Sequence, residues 1–184
     1  VAEYLAVVAC GAPLAVRVPD VAALAGRAGW LVRVVATESA LNWLDDAEVE
    51  RVTGFRALVE QRQPSQPKRF PAPARVVVCP ATFNSVNKLA AGIMDGYAAG
   101  ILCESLAAGT PMTVLPMVSD RLWGHPAWPR NLAALAAAGV TFVDVRTGRV
   151  GEPGPVEPGS GPAVAAAFDP AWALPAAALP AAPG

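Results

Sequence analysis

The chain has 184 residues, enough for one domain with a full core, and its formal net charge of −1 lacks the basic excess of a nucleic-acid binder. Hydrophobic residues reach 54% and charged residues only 16%, yet no apolar stretch runs unbroken for the roughly 20 residues of a membrane span. The apolar surplus therefore points to subunit contacts, with an Ala-rich composition contributing, rather than to a bilayer.

Three scattered cysteines, an odd number, argue against a disulfide framework. A single histidine and the absence of Cys-x-x-Cys spacing leave no zinc site, so no metal is expected. The opening run 1–9 is short, lacks a basic start and reads as a strand rather than a signal peptide. A reducing cytoplasm is the expected location, and Cys10, Cys79 and Cys103 read as small core residues.

Strands and helices alternate. Residues 5–9 read as a strand and 14–28 as a helix, kinked at Pro19 and stopped at Gly29. Residues 30–36 read as a second strand, followed by a helix near 39–46 and a short helix or loop over 45–51. Residues 54–74 are polar, Pro-containing and without period, and read mostly as loop. The β-branched run 75–79 has the look of a buried strand. Behind it Val86, Leu89, Ala90, Ile93 and Met94 recur at helical spacing, predicting a helix over 83–94. A second helix over 97–108 leads through Gly109 to a strand at 112–115. Trp128, Leu132 and Leu135 share one face of a helix over 127–138, which Gly139 ends, and 140–144 is the last strand. From Gly148 on, Pro, Gly and Ala dominate. Residues 148–184 are expected to be a tail with no long regular element, part of it flexible or draped over a neighbour.

Such alternation predicts a single α/β domain over 1–147: a doubly wound, Rossmann-like parallel sheet with helices on both faces. Ligands of these sheets bind outside the carboxyl ends of the strands, which singles out the turns after Ala9, Ala36, Cys79 and Leu115. The first turn contains Gly11 but no Gly-x-Gly-x-x-Gly fingerprint. In the second, Thr37 and Ser39 can donate to a phosphate or simply cap the next helix. The third offers Thr82, Asn84 and Ser85, with free backbone N–H groups, at the start of a helix.

Residues 80–95 resemble the signature of the homo-oligomeric flavin-containing cysteine decarboxylases, in which Pro-Ala-Ser-Ala-Asn-Thr is followed by Lys, Ala, Gly and Asp at fixed offsets. Pro80, Ala81, Asn84, Lys88, Ala90, Gly92 and Asp95 fall on those offsets. Thr82 and Ser85 exchange one hydroxyl for another, and Phe83 replaces a small residue. The resemblance extends over about 5–144 and implies a flavodoxin-like fold. It implies FMN bordered by Gly11, Ala12, Thr37, Ser39, Pro80, Ala81, Thr82, Asn84 and Ser85, with Asn84 catalytic. Pro116, Met117, Val118, Ser119 and Trp123 fall on the family's substrate-recognising segment. The implied activity is oxidative decarboxylation of a thiol-bearing carboxylate, such as a C-terminal peptide cysteine, to an enethiol. A carboxamide suits Asn84 because it donates to a carboxylate without adding charge. The implied assembly is a homotrimer or a dodecamer of trimers.

The chain departs from that pattern in several places. Ala12 lacks the usual hydroxyl, and Val118 and Ser119 stand where the family has Met and Asn. The family's active-site His falls about at Gln66, where Gln66, Lys68 and Arg69 supply hydrogen bonds but no base titrating near neutrality. The chain's one histidine, His125, lies on another loop, and Lys88 reads as a packing or subunit-contact residue. No cysteine follows Cys103 to protonate a reduced intermediate, which favours release of the enethiol. Other readings stay open: flavin chemistry of another kind, a divergent FMN-binding or regulatory subunit, or a cofactor-free structural domain. Substrate choice is expected to lie in 55–74, in the 117–123 segment and in the tail.

Overall fold

The computed structural model describes residues 3–60, 65 and 70–174. Five strands form one sheet: β1 Tyr4–Ala9, β2 Leu31–Ala36, β3 Arg75–Ala81, β4 Met112–Pro116 and β5 Val140–Phe142. All pairs are parallel and the order is β2-β1-β3-β4-β5, the flavodoxin-like doubly wound arrangement. The winding reverses between β1 and β3, which opens a crevice at their carboxyl ends. Every residue of β1 is buried, as befits a central strand covered on both faces.

The two-residue period of the strands divides the core. Leu5, Val7 and Ala9 face one cluster with Val34, Val49 and Val77. Tyr4, Ala6 and Val8 face the other, with Val76, Val78, Leu89, Leu102 and Trp128. Helices α1 Val18–Arg27 and α2 Asp46–Thr53 cover the first face. Helices α3 Phe83–Ala91, α4 Tyr97–Ala107 and α6 Ala127–Ala137 cover the second, with the short α5 Asp120–Trp123 between β4 and α6.

Several elements differ from their sequence-based expectation. The segment read as one helix over 14–28 is a 3-10 turn, Pro13–Arg17, followed by α1. Pro19 lies in the first turn of α1, where a missing N–H breaks no helical bond, so it starts the helix rather than kinking it. The helix expected near 39–46 is a 3-10 turn, Glu38–Asn42. The α-helix begins only at Asp46, because the Asp45 carboxylate accepts from the Glu48 N–H at 3.0 Å and caps it there. Helix α3 ends at Ala91, since Gly92 turns left-handed at φ 69°. That leaves Ile93 and Met94 47% and 50% exposed.

The Pro/Gly/Ala-rich end holds only short elements among the described residues. It folds back onto its own domain at least as far as Leu174, through α7 Gly161–Ala167 and a 3-10 turn Pro170–Ala173. Val156, Ala165, Phe168, Ala173 and Leu174 are buried in the same cluster as α1. Small residues pack closely without any readable period, so composition alone hides such an element.

Candidate functional site

The third turn is built by local hydrogen bonding. Thr82 is the N-cap of α3: its Oγ1 accepts from the Ser85 N–H at 3.2 Å, and Ser85 Oγ accepts from the Thr82 N–H at 2.8 Å. This reciprocal box uses both hydroxyls as scaffold and fixes the helix start. Asn84 sits between them, exposed, and its carboxamide makes no hydrogen bond among the described residues. Its donors and acceptor are free for a ligand.

In the second turn the capping alternative fails. Neither Thr37 nor Ser39 caps the 3-10 turn; their hydroxyls meet each other at 3.1 Å. The Thr37 N–H is tied to the Ala9 carbonyl at 3.0 Å, which draws this turn to the end of β1. Gly11 explains the close approach of the first turn: a Cβ there would overlap Ser39 Oγ and stand 2.7 Å from Ser39 Cβ. The Cys10 N–H donates to the Pro80 carbonyl at 3.0 Å, joining first and third turns.

Between these turns lies a cavity of about 380 Å³. The structure brings Thr37, Ser39, Thr82, Asn84 and Ser85 together in its wall, five of the residues expected there. Gly11, Ala12, Pro80 and Ala81 frame the turns without lining the cavity. The fourth turn goes elsewhere. Pro116, Met117 and Val118 are buried; Met117 Sδ accepts from the Leu14 N–H at 3.4 Å, and the Val118 carbonyl accepts from the Val156 N–H at 2.8 Å. Ser119 pairs with Val156 in an isolated bridge, and Trp123 meets Trp128 edge-on at 5.3 Å. None of these five lines the cavity within the chain.

Other residues enter that sequence reasoning did not assign to the site. Glu38 lines the cavity beside Thr37, and Gly96 and Tyr97 close it from the start of α4. Lys88 forms an ion pair within the chain: its Nζ lies 2.6 Å from Asp95 Oδ2, and both line the cavity. The Lys88 hydrogen bond holds the Asp95 carboxyl below its ordinary range. Both belong to the recognised signature, but seven positions of separation said nothing of their contact.

The thiols are quiet. Burial pushes Cys10 up, outweighing its hydrogen bonds with Ser85 and Thr82, and pushes Cys79 up to about 12. Such thiols stay protonated and unreactive at neutral pH. His125 does not line the cavity; its Nδ1 accepts from the Ala127 N–H at 3.1 Å at the start of α6, and its ring stands edge-on to Phe83 at 5.4 Å. Gln66, Lys68 and Arg69 lie outside the described residues. Among the described residues no group of three His, Cys, Asp or Glu side chains could hold a metal ion.

Fold and site together define a flavodoxin-like protein whose switch-point crevice offers hydroxyls, a free carboxamide and a helix N-terminus. The chain belongs to the flavoprotein family, whose profile matches residues 3–164.

Among curated relatives it is 29% identical over 128 residues to the coenzyme A biosynthesis bifunctional protein CoaBC of Bacillus subtilis (strain 168), covering 66% of this chain and 31% of that protein. It is 32% identical over 127 residues to CoaBC of Mycolicibacterium smegmatis, covering 67% and 30%. The chain thus spans about a third of the length of these relatives. The crystal structure of the FMN-dependent cysteine decarboxylase SpaF superposes with a TM-score of 0.63 at 27% identity, over 90% of this chain and 94% of that one. TvaF, an FMN-dependent cysteine decarboxylase from thioviridamide biosynthesis, gives 0.62 at 27% identity over 77% and 89%. A PPC decarboxylase mutant complexed with pantothenoylaminoethenethiol gives 0.64 at 20% identity over 78% and 82%, a likeness of fold.

Proposed function

We propose that the chain is an FMN-dependent decarboxylase that acts oxidatively on a thiol-bearing carboxylate, such as a C-terminal peptide cysteine, and releases an enethiol. The observation that carries this reading is the free Asn84 carboxamide in one cavity with the Thr37–Ser39 hydroxyl pair. The residues fit FMN. Gly11 lets the first turn close against Ser39, Thr37 and Ser39 offer hydroxyls to a phosphate, and the N-terminus of α3 adds backbone N–H groups. The backbone of Ala12, Pro80 and Ala81 frames the same turns. Bound FMN would supply the two-electron acceptor that oxidative loss of CO₂ requires.

The chain's own residues supply placement. The Asn84 amide N–H donates to the substrate carboxylate without a full charge, so the carboxylate is oriented but not over-stabilised before CO₂ leaves. The Lys88–Asp95 pair is internally neutralised and adds no net attraction for an anion. Ser119 and Trp123 are part-exposed and do not line their own cavity, so a substrate-binding role for them belongs to contacts with a neighbouring copy, in a homotrimer or dodecamer, while the buried Pro116, Met117 and Val118 hold the turn that carries them. The exposed Ile93 and Met94, next to Asp95, support such a contact. A cytoplasmic location goes with this reading; among the described residues no helix is long and apolar enough to cross a membrane.

A second reading, a flavin-binding or regulatory subunit without turnover, is favoured by the lack of a histidine in the cavity wall. One experiment separates the two. The purified protein is scanned for flavin absorbance, the released cofactor is weighed, and a peptide ending in cysteine is added. Loss of CO₂ plus two hydrogens from the peptide is expected. A flavin spectrum with no change in any thiol carboxylate would favour the second reading, and failure to take up FMN would sink both.

A further inference from the structure

Among the described residues, the segment beyond β5 lines no part of the cavity, yet it is fastened to the turns that build it. Its root is Asp144, 3% exposed. Asp144 Oδ1 accepts from the N–H groups of Arg146 and Thr147 at 2.8 and 3.1 Å, and Oδ2 accepts from Gly154 N–H and Arg146 Nη2, both at 2.9 Å. Beyond this knot Val156 donates to the Val118 carbonyl and accepts from the Asp120 N–H, clasping the fourth turn. Gly161 then meets the first turn: a Cβ there would lie 2.6 Å from Pro13 Cγ and 3.0 Å from Pro13 Cβ. Arg17 Nη1 donates to the Ala165 carbonyl at 2.9 Å and holds α7 against the same turn.

We infer that residues 144–174 are a strap that sets the position of the first cofactor turn, with Gly161 as the positioning residue. The inference rests on the flavin reading above. The line of contact is short: Gly161 bears on Pro13, the Ala12 N–H is tied to the Cys10 carbonyl at 2.9 Å, and Gly11 packs on Ser39, which lines the cavity. The Pro13 ring is rigid, so a larger side chain at 161 is accommodated by moving the turn rather than by turning a side chain. Gly161 lies at the start of α7 and its φ is not left-handed, so alanine suits its own backbone. Gly161→Ala therefore isolates the push on Pro13.

The full-length chain, stripped of flavin, is titrated with FMN while flavin fluorescence and visible circular dichroism are followed. The wild type must bind; if it does not, the flavin reading itself fails. With wild-type binding in hand, Gly161→Ala is expected to weaken FMN about tenfold, the cost of a sub-ångström misplacement at a fitted site, and to alter the flavin dichroism. Melting temperature should fall by only a few degrees, as overpacking at one buried contact does. Adding Pro13→Ala to Gly161→Ala removes the nearest clashing atom and should restore most of the affinity lost relative to Pro13→Ala alone. If Gly161→Ala does not fold, Arg17→Met, which frees α7 from the turn, should weaken FMN a few-fold. FMN affinity equal to wild type in the folded variant, or a lower melting temperature with unchanged affinity, overturns the strap's positioning role.

Discussion

Asn84 is the polar side chain of the third turn that the helix cap leaves free. Thr82 and Ser85 satisfy each other, so their hydroxyls hold the scaffold while the Asn84 carboxamide stands unbonded in the cavity wall. Asn84→Asp should lower decarboxylation by about a hundredfold or more, because it replaces a donor with a charge facing the substrate carboxylate. FMN should remain bound, and a flavin spectrum beside a turnover assay on one preparation checks both halves. Turnover near wild type would remove the role assigned to Asn84. Arg33 makes a separate point at this scale. Its guanidinium is 4% exposed, clamped between the rings of Phe55 and Phe70 at 3.1 and 4.0 Å from their centroids, and its Nε has no partner. A flat cation fills that slot and a lysine ammonium does not. Arg33→Lys should therefore cost about 1–2 kcal/mol in urea unfolding, although charge is conserved. Nothing in the sequence marked Arg33, because its ring partners lie 22 and 37 residues away on a stretch with no period.

At the scale of elements, helix α3 depends on its cap. Thr82→Ala removes the acceptor for the Ser85 N–H and should cost about 1 kcal/mol, read as a lower denaturant midpoint. The loss should also loosen FMN, since Asn84 rides on the same turn. The Asp144 knot carries a pH dependence. Burial alone would raise this carboxyl, but the hydrogen bonds and charge of Arg146, with the Gly154 N–H, outweigh burial and hold it below the ordinary aspartate range. A depressed carboxylate contributes stability above its unfolded pKa, about 4, and loses it as the pH falls from there through the folded value. The stability gap between wild type and Asp144→Asn should thus be full near neutrality and shrink below about pH 4. A gap that stays constant down to pH 3 would mean that the knot holds through shape rather than charge.

The whole molecule presents an apolar edge beside its site. Ile93 and Met94 are exposed and lie between Lys88 and Asp95, whose ion pair lines the cavity. Under the assembly proposed above, Met94→Glu is expected to lower the mass from that of a trimer or dodecamer towards monomer, as read by light scattering, with loss of turnover. An unchanged mass would move the subunit contact to another face.

How much of this was legible from residues alone depended on the range of the interaction. The strands over 75–79 and 112–115 follow a local apolar pattern that sufficed to read them, whereas the cap at Thr82 and the stop at Gly92 emerged only with the structure. Where it failed, as with Pro19 or the late start of α2, one N–H or one capping carboxylate moved a boundary. The strand–helix alternation determined the parallel sheet, and the sixteen-residue signature determined which turn carries Asn84. The strand-end rule and the signature had already grouped Thr37 and Ser39 with Asn84; tertiary structure alone decided that Met117 and Val118 turn into the core. It alone paired Lys88 with Asp95, and it folded a patternless Pro/Gly/Ala segment into a strap. Those outcomes depend on contacts between residues as many as 148 positions apart. Such contacts form only after the sheet has closed, and no periodicity records them in advance.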